Sequence, residues 1–246
     1  MLTSILSSSN LLNLNFNIPH LNFNIPHFNY NNNFNTSVVF ASLYVGFYLF
    51  GKSRYRSAIC SNNFTGDVSH LVSYTFSTIH ATTVSTVSIL NLLNLIDNSK
   101  MRYIYLLGLG YMVADLGIIY YDKKFRKDAI PYTLHHGITI ASYYSIINNL
   151  FPEYINSYAP LLLLSETNIP ALNYSWYLIH TNRRETTLFK ISSRLSILLY
   201  FIFRICNLSY MTYILYNLDN GYYSLPLGVI TGLNYNWFYR LIKSSF

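Results

Sequence analysis

The chain has 246 residues, of which 52% are hydrophobic and 10% charged, against about a quarter charged in soluble domains. Its net charge of +7 comes from basic residues in short clusters between apolar runs, which excludes the continuous basic stripe of a nucleic-acid binder. The composition is that of an integral membrane protein, and the distant Cys60 and Cys206 provide no disulfide framework.

Residues 1–35 read as a low-complexity, asparagine-rich tail. It contains LNFNIPH twice, at 14–20 and 21–27, too few copies for a solenoid, and His20 and His27 make at most a loose metal contact. The tail lacks the basic start and unbroken apolar core of a cleaved signal peptide, so targeting falls to the first spanning helix.

From residue 36 the pattern changes to apolar runs near the roughly 20-residue length that crosses a bilayer. Seven are expected, at 36–51, 67–95, 101–121, 130–150, 155–180, 188–217 and 221–243, with 36–51 a first helix ahead of a domain over 52–246. Loop charge agrees with the count. Loops one, three and five hold Lys52, Arg54 and Arg56; Lys123, Lys124, Arg126 and Lys127; and Arg183, Arg184 and Lys190, and Arg240 and Lys243 end the last span. The even loops hold only Lys100 and Arg102. Under the positive-inside rule the odd loops and C-terminus are cytosolic and the N-terminus lumenal or outside. The triplet Asn63-Phe64-Thr65 is then cytosolic and stays unglycosylated.

Ionisable and strongly polar groups inside such runs are expensive, the ionisable ones by a few kcal/mol each, so their presence asks for a purpose. They are His80 in the second span, Asp115 in the third, His135 and His136 in the fourth, Glu166 with Asn168 in the fifth, and Arg194 and Arg204 in the sixth. At about 1.5 Å per residue, Asp115 and the histidine pair lie roughly 10 Å from the cytosolic ends and His80, Glu166 and Arg204 roughly 20 Å. The simplest arrangement is one polar chamber opening to the cytosol. Arg194 is close enough to the surface to snorkel, whereas Arg204 needs Glu166 or an anionic ligand group. Adjacent histidines differ by about 100 degrees around a helix, so one of the pair faces the chamber while the other packs against a neighbour. Thr139 shares their face and is placed to orient a ring. Three chemistries stay open: a histidine base or acyl carrier with Asp115 fixing its tautomer, a metal site, disfavoured because the histidine clusters of membrane di-iron enzymes are absent, and a headgroup site without turnover. The GLG at 108–110 lacks the third glycine of a dinucleotide fingerprint and reads as close helix packing.

Six segments resemble the TLC-domain membrane proteins, in that family's order: STIHA at 77–81, GYMVADLGIIYYD at 110–122, LHHGIT at 134–139, LLSETNIPALN at 163–173, FIFRI at 201–205 and LNYNWFYRLI at 233–242. The resemblance implies an all-α integral membrane protein of about seven transmembrane helices, six of them bundled around a lipid-sized cavity. It implies membrane lipids as partners and an endoplasmic-reticulum-type membrane. In the ceramide synthases of this group, paired histidines are implicated in acyl transfer from coenzyme A to a sphingoid amine. His135 and His136 match that pair, with Asp115 beside them, and His80, Thr139, Glu166, Asn168 and Arg204 become substrate contacts. Acyl-CoA enters as a co-substrate, and no bound cofactor or metal is implied. The next helix, SETNIPALNYSWY, lacks both aspartates of the synthase motif. In that respect the chain is similar to the non-synthase members, for which a lipid-binding or membrane-composition role without turnover is the alternative.

Overall fold

The structure, a computed structural model, describes residues 30–59, 64–122, 129–219 and 221–245. The LNFNIPH repeats with His20 and His27, Cys60, Asn63 and the basic loop from Lys123 to Lys127 lie outside them. The described residues are helical throughout: α1 (Tyr30–Ile59), α2 (Val68–Leu92), α3 (Asn98–Tyr121), α4 (Ala129–Ile147), α5 (Glu153–Leu163), α6 (Ile169–His180), α7 (Thr187–Tyr200), α8 (Asn207–Asp219) and α9 (Ser224–Ser245).

Two segments, Asn98–Tyr121 and Thr187–Leu218, are long and apolar enough on their own to cross a membrane. The other helices are rich in serine, threonine, asparagine and tyrosine, which lowers their hydropathy without adding charge. In α2 four of these hydroxyls are satisfied inside the helix. Thr75, Thr78, Thr83 and Ser85 donate to the carbonyls of Leu71, Tyr74, Ile79 and Ala81, four residues back, so the helix presents few unpaired polar groups to its surroundings.

Asparagine also ends helices. Asn94, Asn149 and Asn182 take left-handed backbone angles (φ 59, 52 and 57°) just beyond α2, α4 and α6. In each case the next residue's N–H reaches back to a carbonyl five residues earlier, Leu95 to Leu90, Leu150 to Ser145 and Arg183 to Leu178, each at 2.8 Å. This is the Schellman closure with asparagine in place of glycine. At the opposite ends Asp67 caps α2 by accepting from Ser69 N–H at 2.8 Å, and Thr186 caps α7 by accepting from Phe189 N–H at 3.2 Å.

Between helices in lipid, apolar contact alone gains little, so close approach and hydrogen bonds do the holding. A Cβ on Gly110 would lie 2.6 Å from Phe40 Cβ and 2.9 Å from the Ser37 carbonyl, and one on Gly108 would lie 2.9 Å from the Tyr143 ring. These glycines let α3 press against α1 and α4, as the GLG spacing suggests. One core joins α3, α4 and α5 around Tyr105, Tyr111, Tyr143 and Leu163, and another joins α5, α8 and α9 around Met211, Leu215 and Leu227.

Contacts between connections sort the loops onto two faces. Lys52, beyond the middle of α1, pairs at 2.8 Å with Asp122 at the end of α3, and Thr65 N–H donates to the His180 carbonyl at the end of α6 at 2.9 Å. On the other face Phe151 packs edge-on against Tyr223 at 5.4 Å. These contacts put the ends of α1, α3 and α6 on one face and the connections after α4 and α8 on the other.

Two expected spans are not single α-helices. The run expected at 155–180 breaks into α5, a 3-10 turn at Leu164–Glu166 and α6, and the run at 188–217 passes through a π-helical segment at Phe201–Cys206 between α7 and α8. Backbone freed at membrane depth must be satisfied by protein. Here the Arg204 Nε donates to the Ser165 carbonyl at 2.8 Å, Asn207 donates to the Leu161 carbonyl at 2.8 Å, and Ser88 donates to the Pro160 carbonyl. The interruptions answer each other.

Candidate functional site

The two interruptions place one guanidinium among oxygens. Besides Ser165, Arg204 Nε donates to Asn168 Oδ1 at 2.9 Å, one Nη donates to Asn234 Oδ1 at 3.2 Å, and the other approaches both Glu166 oxygens at 3.4 Å. Tyr200 donates to Asn234 Oδ1 at 2.9 Å, and its ring lies 5.4 Å from the guanidinium carbon. Of the two partners expected for Arg204, Glu166 is the one the fold provides, and Asn168 is fully buried beside it.

A second group surrounds the histidine pair. His136 is buried, with Nε2 2.8 Å from Asp115 Oδ2 and Nδ1 2.8 Å from the Tyr132 carbonyl. A carbonyl only accepts, so Nδ1 carries a proton, and the Asp115 contact is a hydrogen bond only if a second proton lies between nitrogen and carboxylate. Both nitrogens of His136 are therefore engaged. The ring expected to be tautomer-fixed by Asp115 has no lone pair left for a substrate.

His135 differs. Its ring stands edge-on to Trp237 at 5.6 Å and to His136 at 5.5 Å, and its buried Nδ1 finds no hydrogen-bond partner among the described residues. His80, 1% exposed, stacks on Tyr111 at 4.0 Å and has neither ring nitrogen paired among those residues. Thr167 Oγ1 and Asn168 Nδ2, at the break before α6, are also buried and unpaired there. Leaving one such group unsatisfied costs about 1–3 kcal/mol.

The two groups are neighbours. Glu166 lies within electrostatic range of His136, Arg204 of His135, and His136 of His80. The polar residues expected to share a chamber are thus gathered in one region, with two differences. Thr139 donates to the backbone carbonyl of His135 at 2.8 Å and orients no ring. The cleft found at Asp115 is a narrow, part-open gap between α1, α2 and α3 with room for about one water, far below the roughly 300–1,000 Å³ of ligand pockets, because Tyr44, Phe76 and Tyr111 fill the space between helices.

Asn234, Tyr200 and Trp237 escaped the sequence reading, although Asn234 and Trp237 lie inside the quoted LNYNWFYRLI. An amide inside an apolar span is a quieter signal than a charge. Arg194 is exposed. Among the described residues, no group of three or more histidine, cysteine, aspartate or glutamate side chains is arranged to hold a metal.

Among the described residues the structure is all-helical, with buried ionisable groups at its helix breaks and imidazole nitrogens unpaired within an apolar bundle. Residues 39–243 match the TLC domain, and the chain belongs to that family. No curated protein and no solved structure matches it. Membership makes it an integral membrane protein with a lipid-related role.

Proposed function

We propose that this chain is a seven-span membrane protein that draws a lipid into the region between α2, α4 and α9 and acylates it, with His135 as the base. The observation carrying this reading is the buried, unpaired Nδ1 of His135 beside the paired His136 and Asp115. In the reaction the acceptor's amine or hydroxyl attacks the thioester carbonyl of acyl-CoA. His135 takes the acceptor's proton, the C–S bond breaks, and the same proton passes to the coenzyme A thiolate. The His136–Asp115 pair positions the neighbouring ring, and Arg204 with Glu166, Asn168 and Asn234 holds the two helix breaks that shape the site. His80 and the polar atoms at 167–168 contact the lipid head. Loop charge supports a cytosolic odd-loop face, with Lys123, Lys124, Arg126 and Lys127 meeting the phosphates of acyl-CoA and the N-terminus in the lumen of an endoplasmic-reticulum-type membrane.

A second reading is a lipid-binding protein without turnover. It is favoured by the engagement of both His136 nitrogens and of Arg204 within the protein, together with the missing aspartates in SETNIPALNYSWY.

The test gives detergent-purified protein labelled long-chain acyl-CoA and a mixture of amine and alcohol lipid acceptors, read by mass spectrometry for wild type and His135→Asn. A product lost in the variant supports acyl transfer. No product from folded, lipid-loaded wild type leaves the binding role.

A further inference from the structure

We infer that a water-accessible path from the odd-loop face reaches Asp115 along α1, so that the His136–Asp115 pair exchanges protons with the aqueous face without passing through the lipid site. The carboxylate has two sides. Oδ2 holds His136, while Oδ1 faces Ser73 at a long 3.5 Å, and the side chain retains 16% exposure. That second side borders the cleft between α1, α2 and α3, which has room for about one water and whose lining includes Tyr48, Ser73 and Asp115. A water there meets a hydroxyl, a phenol and a carboxylate, within the two to four polar partners a buried water needs.

From the cleft the connection continues outward. Tyr48 is 1% exposed and donates to Asp122 Oδ2 at 3.0 Å, and the same oxygen accepts from Lys52 Nζ at 2.8 Å. Lys52 is 40% exposed, so the chain of groups ends at the surface. Asp122 lies seven residues beyond Asp115, about 10 Å along α3, a gap that Tyr48 and the cleft fill. A phenol both donates and accepts, so it passes a proton without net change: one arrives from the Asp122 side as another leaves into the cleft. A proton delivered to Oδ1 lets the one shared at Oδ2 move onto His136, and the reverse removes it. What the path is for rests on the acyl-transfer reading, since an ammonium acceptor must shed a proton that ends in bulk water. Its existence does not rest on that reading.

Two experiments on the full chain decide it. In a Cys60→Ala/Cys206→Ala background, Ser73→Cys is treated with aminoethyl methanethiosulfonate, a small water-soluble reagent that needs a hydrated, ionisable thiol. It is expected to react about tenfold or more faster than Ser88→Cys, at a fully buried position. In protein carrying labelled histidine, the ring signal of His136, assigned by its absence in His136→Asn, is expected to exchange with solvent several-fold more slowly in Ser73→Val and at the native rate in Ser73→Thr. Equal reactivity of the two cysteines, or exchange indifferent to Ser73→Val, overturns the path. Neither readout requires turnover, so a failed acyl-transfer assay leaves it standing.

Discussion

Arg204 and Glu166 lie on two different interruptions of helix, a π segment and a 3-10 turn, and their charged groups meet at 3.4 Å with both side chains nearly buried. Each break supplies what the other lacks, an acceptor-rich turn on one side and a many-donor side chain on the other. Removing one partner of such a pair leaves a buried charge alone, at a cost of about 3–5 kcal/mol. Arg204→Met is therefore expected to lower stability strongly in denaturant titration of detergent-solubilised protein. Arg204→Met with Glu166→Gln is expected to recover part of the loss.

His80 makes the opposite prediction. Its two unpaired nitrogens weigh against the ligand-free fold, so His80→Phe, which keeps a flat ring against Tyr111, is expected to stabilise delipidated protein by about 1 kcal/mol or more. Thermal unfolding checks the sign. A loss of stability would mean the imidazole is satisfied in the fold itself.

The glycines of α3 separate by position. Gly110→Ala drives a methyl into Phe40 and the Ser37 carbonyl and is expected to cost about 1–3 kcal/mol while loosening α1. Gly117→Ala meets nothing within 4 Å and is expected to be neutral or to stabilise by up to about 1 kcal/mol through helix propensity. Thermal unfolding of both variants checks the contrast.

The broken fifth rod is expected to cross the bilayer as one unit. Leu150→Cys and Arg184→Cys flank it at exposed positions. In sealed microsomes a membrane-impermeant maleimide is expected to label Arg184→Cys directly, and Leu150→Cys only after permeabilisation. Labelling both from one side would reduce the span count.

The apolar runs from 67 onward matched the helix ends within a few residues, whereas α1 runs from Tyr30 to Ile59, well past the expected 36–51, because its flanks continue the helix in polar sequence. The breaks at 164–168 and 201–206 were not expected, because hydropathy alone does not record them. The first has a local contributor in Pro170, which has no N–H for the carbonyl four residues back, and a long-range one in the bond from Arg204 to the Ser165 carbonyl. The histidine pair, Asp115, Glu166 and Arg204 stood out because charge is rare in such runs, whereas Asn234, just as buried, carries none. Thr139 misled because a helix hydroxyl finds the carbonyl four residues back more readily than a neighbouring ring.

Lipid occupancy of the histidine region bears on the account most directly, because both readings of function require it. Native mass spectrometry of gently purified wild type and of a His80→Phe/His135→Phe variant would measure it. A lipid is expected to be retained by wild type and lost from a folded variant. A wild type that carries no lipid, or a variant that carries the same lipid at the same occupancy, would contradict it.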